Sequence, residues 1–124
     1  MKKLLTITIL AAGVISASSC YYDKANVIYP SSGACDTTAV KYSTFISPTL
    51  NTYCNGCHGG SAAMGAGIVL DNYTSVKTYV TNAKLLGSIQ QNGTASSMPK
   101  GGSKLDACTI NKFDAWIKSG APNN

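Results

Sequence analysis

The five residues Cys54-Asn55-Gly56-Cys57-His58 constrain this 124-residue chain more tightly than any other stretch. Two thiols at this spacing, followed at once by an imidazole, form Cys-x-x-Cys-His, the attachment sequence of a covalent haem. Each thiol can add to one vinyl group of the porphyrin, and the imidazole is then delivered beneath the iron. His58 is the one histidine in the chain, so a histidine–iron bond has a single possible origin. Two other readings of the cysteine pair carry less. A structural zinc site usually needs a second pair of ligands at similar spacing, and the sequence has none. A thioredoxin-like redox pair needs a βαβ setting, which the flanking residues do not suggest. Composition favours the haem. Gly, Ser, Thr and Asn are plentiful and large apolar residues few, so a domain this small gains from an apolar cofactor at its centre.

The N-terminus reads as an address. Met1-Lys2-Lys3 is a short basic region, and Leu4 to Ile15 is an apolar run too short to span a bilayer, which needs ~20 apolar residues. Ser16-Ala17-Ser18-Ser19 then leads directly into Cys20, a pattern that resembles a bacterial lipobox with Ala17 where Leu is more usual. This assigns residues 1–19 to a lipoprotein-type signal peptide and Cys20 to lipidation. In the second reading, an ordinary signal peptidase cuts near Ser18 and Cys20 stays a stray thiol. Both readings export the domain, to the periplasmic side or the cell surface. Residues 20–34, with Pro30, Ser31, Ser32 and Gly33 and no sustained period, read as a tether from the membrane. Residues 35–124 form the folded domain.

Ten Lys and five Asp give a net charge of +5, which falls to +3 once Lys2 and Lys3 are removed. A surplus this small, with no basic run, is no footprint for nucleic acid. The lysines at 77, 84, 100, 104, 112 and 118 read as a solvated surface. A second reading has those near the haem edge steering an acidic redox partner.

All five cysteines find a use. Cys20 takes lipid, and Cys54 and Cys57 take haem. Cys35 and Cys108 remain and are expected to pair in an oxidising compartment. Their bridge would close a loop of 108 − 35 = 73 residues, worth roughly 4 kcal/mol in the chain-entropy model. Two buried reduced thiols are the alternative.

Periodicity predicts an all-α domain of three to four short helices. Val40, Tyr42, Phe45, Ile46, Leu50 and Tyr53 fall at helical spacings interrupted by Pro48. Ser47 as N-cap with Pro48 at N1 resolves the interruption, with a turn or short helix before it. The resulting helix carries Leu50, Tyr53, Cys54 and Cys57 and ends at Gly59-Gly60. Residues 59–67 are expected as a loop whose small side chains let backbone approach the haem. Asp71 is expected to cap a helix reaching Val80 or Thr81, and Ala83 to Gln90 forms one or two further turns. Residues 91–103 are polar and Gly-rich. Asp106 then caps the clearest helix, with Ile110, Phe113, Trp116 and Ile117 as its apolar stripe and Gly120 as its stop.

A haem held by His58 leaves one axial position on the iron. With no second histidine, the candidates reduce to Met64 and Met98. Met64 follows His58 by only 64 − 58 = 6 residues, too few to pass comfortably around the ring. Met98 follows by 40, in a Gly/Ser-rich loop stiffened by Pro99, and is the expected distal ligand. His/Met ligation raises the haem potential and fills the sixth site, which suits electron transfer.

These residues resemble a known family. Cys54-x-x-Cys57-His58-Gly59, the later Met98-Pro99 and a terminal helix with Phe113, Trp116 and Ile117 are similar to small monohaem class I cytochromes c. The likeness is closer to exported lipoprotein-type members. It runs from Cys35 through Pro48, Leu50, Cys54 to Gly59 and Met98-Pro99 to the Trp116–Asn124 terminus. The resemblance implies a cytochrome c-like fold in which N- and C-terminal helices pack near one haem edge. It also implies single-electron transfer between redox protein partners. The chain shows no acid/base pair, nucleophile arrangement or phosphate loop, so it is expected to be a carrier and not an enzyme. The rival expectation is a haem sensor or redox-enzyme subunit with an open sixth site.

Overall fold

Within residues 35–124, the part described by the computed structural model, apolar residues at mixed three- and four-residue spacings fold as short helices joined by loops. The expected signal peptide, the Cys20 lipidation site and the expected tether fall on residues 1–34, outside the described residues. Five α-helices follow in order: α1 Ser47–Tyr53, α2 Asn55–His58, α3 Tyr73–Thr81, α4 Lys84–Gln90 and α5 Ala107–Lys118. A π-helical turn, Tyr42–Ile46, precedes α1, and a 3-10 turn, Ala63–Gly65, lies between α2 and α3. Among the described residues there is no strand, and no helix is long and apolar enough to cross a membrane.

The expected all-α class holds, but the expected three to four helices are five. The helix through the pentapeptide is divided at Cys54, whose φ of −122° departs from helical geometry. Hydrogen bonding nevertheless continues across the break. Cys54 N–H donates to Leu50 O at 2.8 Å, and His58 N–H donates to Cys54 O at 2.9 Å.

Ser47 does not cap this region. It is itself helical, and its N–H donates to Tyr42 O across the wide π turn. Pro48 therefore sits in the first turn of α1, following a π turn and no N-cap. A proline further inside a regular helix would lose a bond and press on the carbonyl four residues earlier, and the widened turn absorbs that conflict. The first N–H groups of the helical run are satisfied from the other end of the chain. Tyr42 N–H donates to Asn124 Oδ1 and Ser43 N–H to Asn124 O, both at 2.8 Å.

Asp71 is likewise not the cap of α3. Asn72 takes that role, its Oδ1 accepting from Ser75 N–H at 3.0 Å. Asp71 instead turns its Oδ2 to the N–H of Gly60 at 2.7 Å. That bond is the main reason its carboxyl lies below the ordinary aspartate range, and a contact with the Asn72 amide adds to it.

Helix α5 begins and ends as its sequence predicts. Asp106 Oδ1 accepts from Thr109 N–H and Oδ2 from the Thr109 hydroxyl, and these two bonds hold the carboxyl below its usual range. At the other end Gly120, with φ +95°, donates to Ile117 O while Ala121 N–H reaches back to Trp116 O. This is a complete Schellman ending. Ile110, Phe113 and Trp116 line the inner face of α5 and join Ile46, Leu50 and Val76 in the core. Tyr42 stacks on Trp116 and meets Tyr73 edge-on, its centroid 5.8 and 5.2 Å from theirs. The Trp116 indole donates to Pro122 O, and the Tyr73 hydroxyl to Ala121 O. The last residues thus bind the π turn, α3 and α5 to one another. Cys35 and Cys108 form a disulfide that joins the start of the described region to the first turn of α5.

Candidate functional site

Continuous hydrogen bonding from α1 through α2 brings Cys54, Cys57 and His58 onto successive turns of one short segment. Both cysteines are free thiols, Cys54 half-buried and Cys57 exposed. Burial pushes the Cys54 thiol up to about 11, so it stays protonated at neutral pH. That is the opposite of what a nucleophilic disulfide-exchange cysteine requires.

His58 is buried, and its Nδ1 lies 2.8 Å from the carbonyl oxygen of Ile68. A carbonyl can only accept, so Nδ1 carries a proton, and in the neutral ring the lone pair then lies on Nε2. The ring is thereby oriented as a metal-ligating histidine is, with its second nitrogen fixed by a backbone acceptor. Leu70 N–H donates to His58 O at 2.7 Å, so residues 68–70 hold both the ring and the backbone of His58.

The Gly/Ala-rich loop makes this arrangement possible. A Cβ at Gly65 would lie 2.5 Å from His58 Nδ1 and 2.6 Å from Cys57 O, so the 3-10 turn approaches the ring as only glycine can. Ala62 and Ala66 flank that turn in left-handed conformation, φ +48° and +54°. Each costs about 1 kcal/mol or more relative to a right-handed residue. Four bonds hold them there: Ala62 N–H to Gly59 O, Gly65 and Gly67 N–H to Ala62 O, and Ile68 N–H to Gly65 O. The Gly60–Asp71 bond closes the base of the loop. The small side chains of residues 59–67 are expected to let backbone approach a haem, and the close approach that the described residues show is a different one. The object approached is the imidazole edge.

Two further observations gather at the pentapeptide. Asn55 Oδ1 is a buried side-chain oxygen without a hydrogen-bond partner in the protein, a position that a bound water or other donor would satisfy. The large apolar residues most exposed among those described, Tyr53 at 56% and Met64 at 78%, flank it on either side in sequence.

The donor set fits a covalent haem. It offers two free thiols and a buried imidazole whose Nδ1 is engaged by Ile68 O and whose Nε2 has no hydrogen-bond partner among the described residues. Among the described residues no group of three or more His, Cys, Asp and Glu side chains converges as a metal cage. A zinc site would need such a cage.

Met98 lies in the segment that returns along α4. Its N–H donates to Ser88 O at 3.0 Å and its carbonyl accepts from Gln91 Nε2 at 3.1 Å. The Met98–Pro99 peptide bond is cis. Among the described residues no hydrogen bond joins this segment to Cys54–His58. Met64 is exposed in the 3-10 turn that abuts the Nδ1 side of His58. Elsewhere, an open surface groove is lined by Tyr73, Thr74, Lys77 and Thr78. Its ammonium is already committed to the Gly120 and Ala121 carbonyls.

No family description matches this chain, and no curated protein or solved structure does either.

Proposed function

We propose that this chain is a small exported monohaem cytochrome c of class I, lipoprotein type, carrying single electrons between protein partners. The observation that carries the reading is His58. It is buried, its Nδ1–H is held by Ile68 O, and it directly follows in sequence a pair of free thiols, Cys54 and Cys57. A bound haem supplies an iron centre that gains and loses one electron. The chain's own residues do the rest. Cys54 and Cys57 would hold the porphyrin covalently, and His58 would offer Nε2 to its iron. The Ile68 carbonyl fixes the ring's tautomer and raises its basicity as a ligand. Met98 would supply the second protein ligand to that iron. The exposed position of Met64, on a turn packed against the proximal imidazole, supports this choice over Met64. The all-α domain with Phe113 and Trp116 of the last helix buried against the Tyr42–Leu50 region supports the class I fold. Cys20 carries the lipid anchor, and residues 20–34 are the tether.

Potentiometric titration of the holoprotein is expected to follow a single reversible one-electron curve. Carbon monoxide is expected to bind the reduced parent slowly and incompletely, and to bind Met98→Ala rapidly and fully. The ferric far-red sulfur-to-iron band is expected in the parent and absent from Met98→Ala. Rapid, complete carbon monoxide binding to the parent would replace the carrier reading by a haem protein with an open sixth site.

A further inference from the structure

The end of α4 and the Met98 segment share more bonds than a polar surface loop needs. Ser88 O accepts two N–H groups, that of Gln91 at 3.2 Å and that of Met98 at 3.0 Å. Gln91, in left-handed conformation at φ +53°, sends its side-chain amide across to the Met98 carbonyl at 3.1 Å. Both backbone polar groups of Met98 are thereby tied to the C-terminus of one helix. The intervening residues are held as well. Asn92 Nδ2 donates to Gln90 Oε1, and Asn92 Oδ1 accepts from the N–H and the hydroxyl of Thr94. Thr94 packs where Gly87 of α4 has no side chain, and a Cβ there would collide with its hydroxyl.

We infer that Gln91 is a positioning residue for Met98: with Ser88 O it forms a clasp that sets where the methionine backbone stands and how readily Met98 leaves the iron. The inference rests on Met98 being the distal ligand. A methionine on a Gly/Ser-rich loop gains ligand strength when the loop is ordered before it binds, because less entropy is lost on ligation. The Gln91 amide supplies that order without touching the cofactor. Half-burial of Gln91 and Met98 strengthens the bond relative to one in open solvent.

Gln91→Glu tests this with little change of shape. Above the ordinary carboxyl range the side chain only accepts, so it faces the Met98 carbonyl with no hydrogen to give. Gln90→Glu is the matched control, since it adds the same charge next door and keeps an acceptor for Asn92 Nδ2. The probe is imidazole, titrated into the ferric holoproteins at neutral pH, together with the far-red sulfur-to-iron band. Gln91→Glu is expected to bind imidazole about tenfold more tightly than the parent, the effect of losing one hydrogen bond that favours the Met98-bound state. Gln90→Glu is expected to match the parent. Equal imidazole affinity in the parent and Gln91→Glu, with the far-red band present in both, overturns the clasp alone. Equal gains in both variants also overturn it, because charge then explains the effect. Absence of the band from the parent removes Met98 ligation and the clasp together.

Discussion

Replacing Cys35 and Cys108 together by Ala is expected to lower the thermal unfolding midpoint by on the order of 20 °C. The bridge closes a loop with a sequence separation of 73 that contains the π turn and helices α1 to α4. Loop closure of that length restricts the unfolded chain by about 4 kcal/mol. Whole domains are commonly stable by only ~5–15 kcal/mol, so the effect is a large share. Among the described residues the largest fully buried side chains are Trp116, Phe113, Ile46, Leu50 and Val76. Circular dichroism of the double variant and the parent measures the shift. A reductant added to the parent should reproduce it. A difference of no more than a few degrees would show that the folded contacts around α5 are sufficient without the bridge.

Gly65→Ala should destabilise the protein by about 2–3 kcal/mol and disturb His58. The new methyl would meet the imidazole Nδ1 and the Cys57 carbonyl, neither of which can yield cheaply. The ring is held by Ile68 O, and the turn is held by its own bonds to Ala62 and Ile68. One of these must break. The control is Gly56→Ala in the same pentapeptide, where nothing lies within 4 Å of the added carbon. It lies within α2, where Ala is favoured over Gly by about 1 kcal/mol, so it should be neutral or stabilising. Urea unfolding compares the two. In the holoprotein the Gly65 variant should also shift the reduction potential, because the bond that orients the proximal imidazole is strained. Identical unfolding curves for Gly65→Ala and the parent would mean the turn does not press on His58.

Local signals in the sequence proved legible where a residue's partners lie within one helical turn. Asp106 capping Thr109, the Ile110–Phe113–Trp116 stripe and the Gly120 stop are all short-range patterns, and each stands in the structure. The cysteine pairing was legible by a different route, through counting and compartment. Misplaced features had competitors that the local pattern does not show. Asp71 and Asn72 can both cap α3, and Asp71 is drawn away by the N–H of Gly60, eleven residues earlier. Ser47 yields its capping role because Asn124, 82 residues from Tyr42, satisfies the front of the helical run. The acceptor for His58 Nδ1, Ile68 O, was not legible in the sequence. A backbone group carries no side-chain signature, and only the course of the Gly/Ala loop selects it. The Gln91 clasp was invisible for the same reason, since a glutamine in a polar stretch looks like solvent-facing surface.

The central claim is that Cys54 and Cys57 hold a haem covalently above His58, and a denaturing gel tests it most directly. The full chain is expressed in a bacterial host with cytochrome c maturation machinery, denatured, separated and stained for haem. The account predicts a haem-staining band at the position of the polypeptide, absent from Cys54→Ala/Cys57→Ala. An unstained band from the parent, with both thiols still available to alkylation, would contradict it.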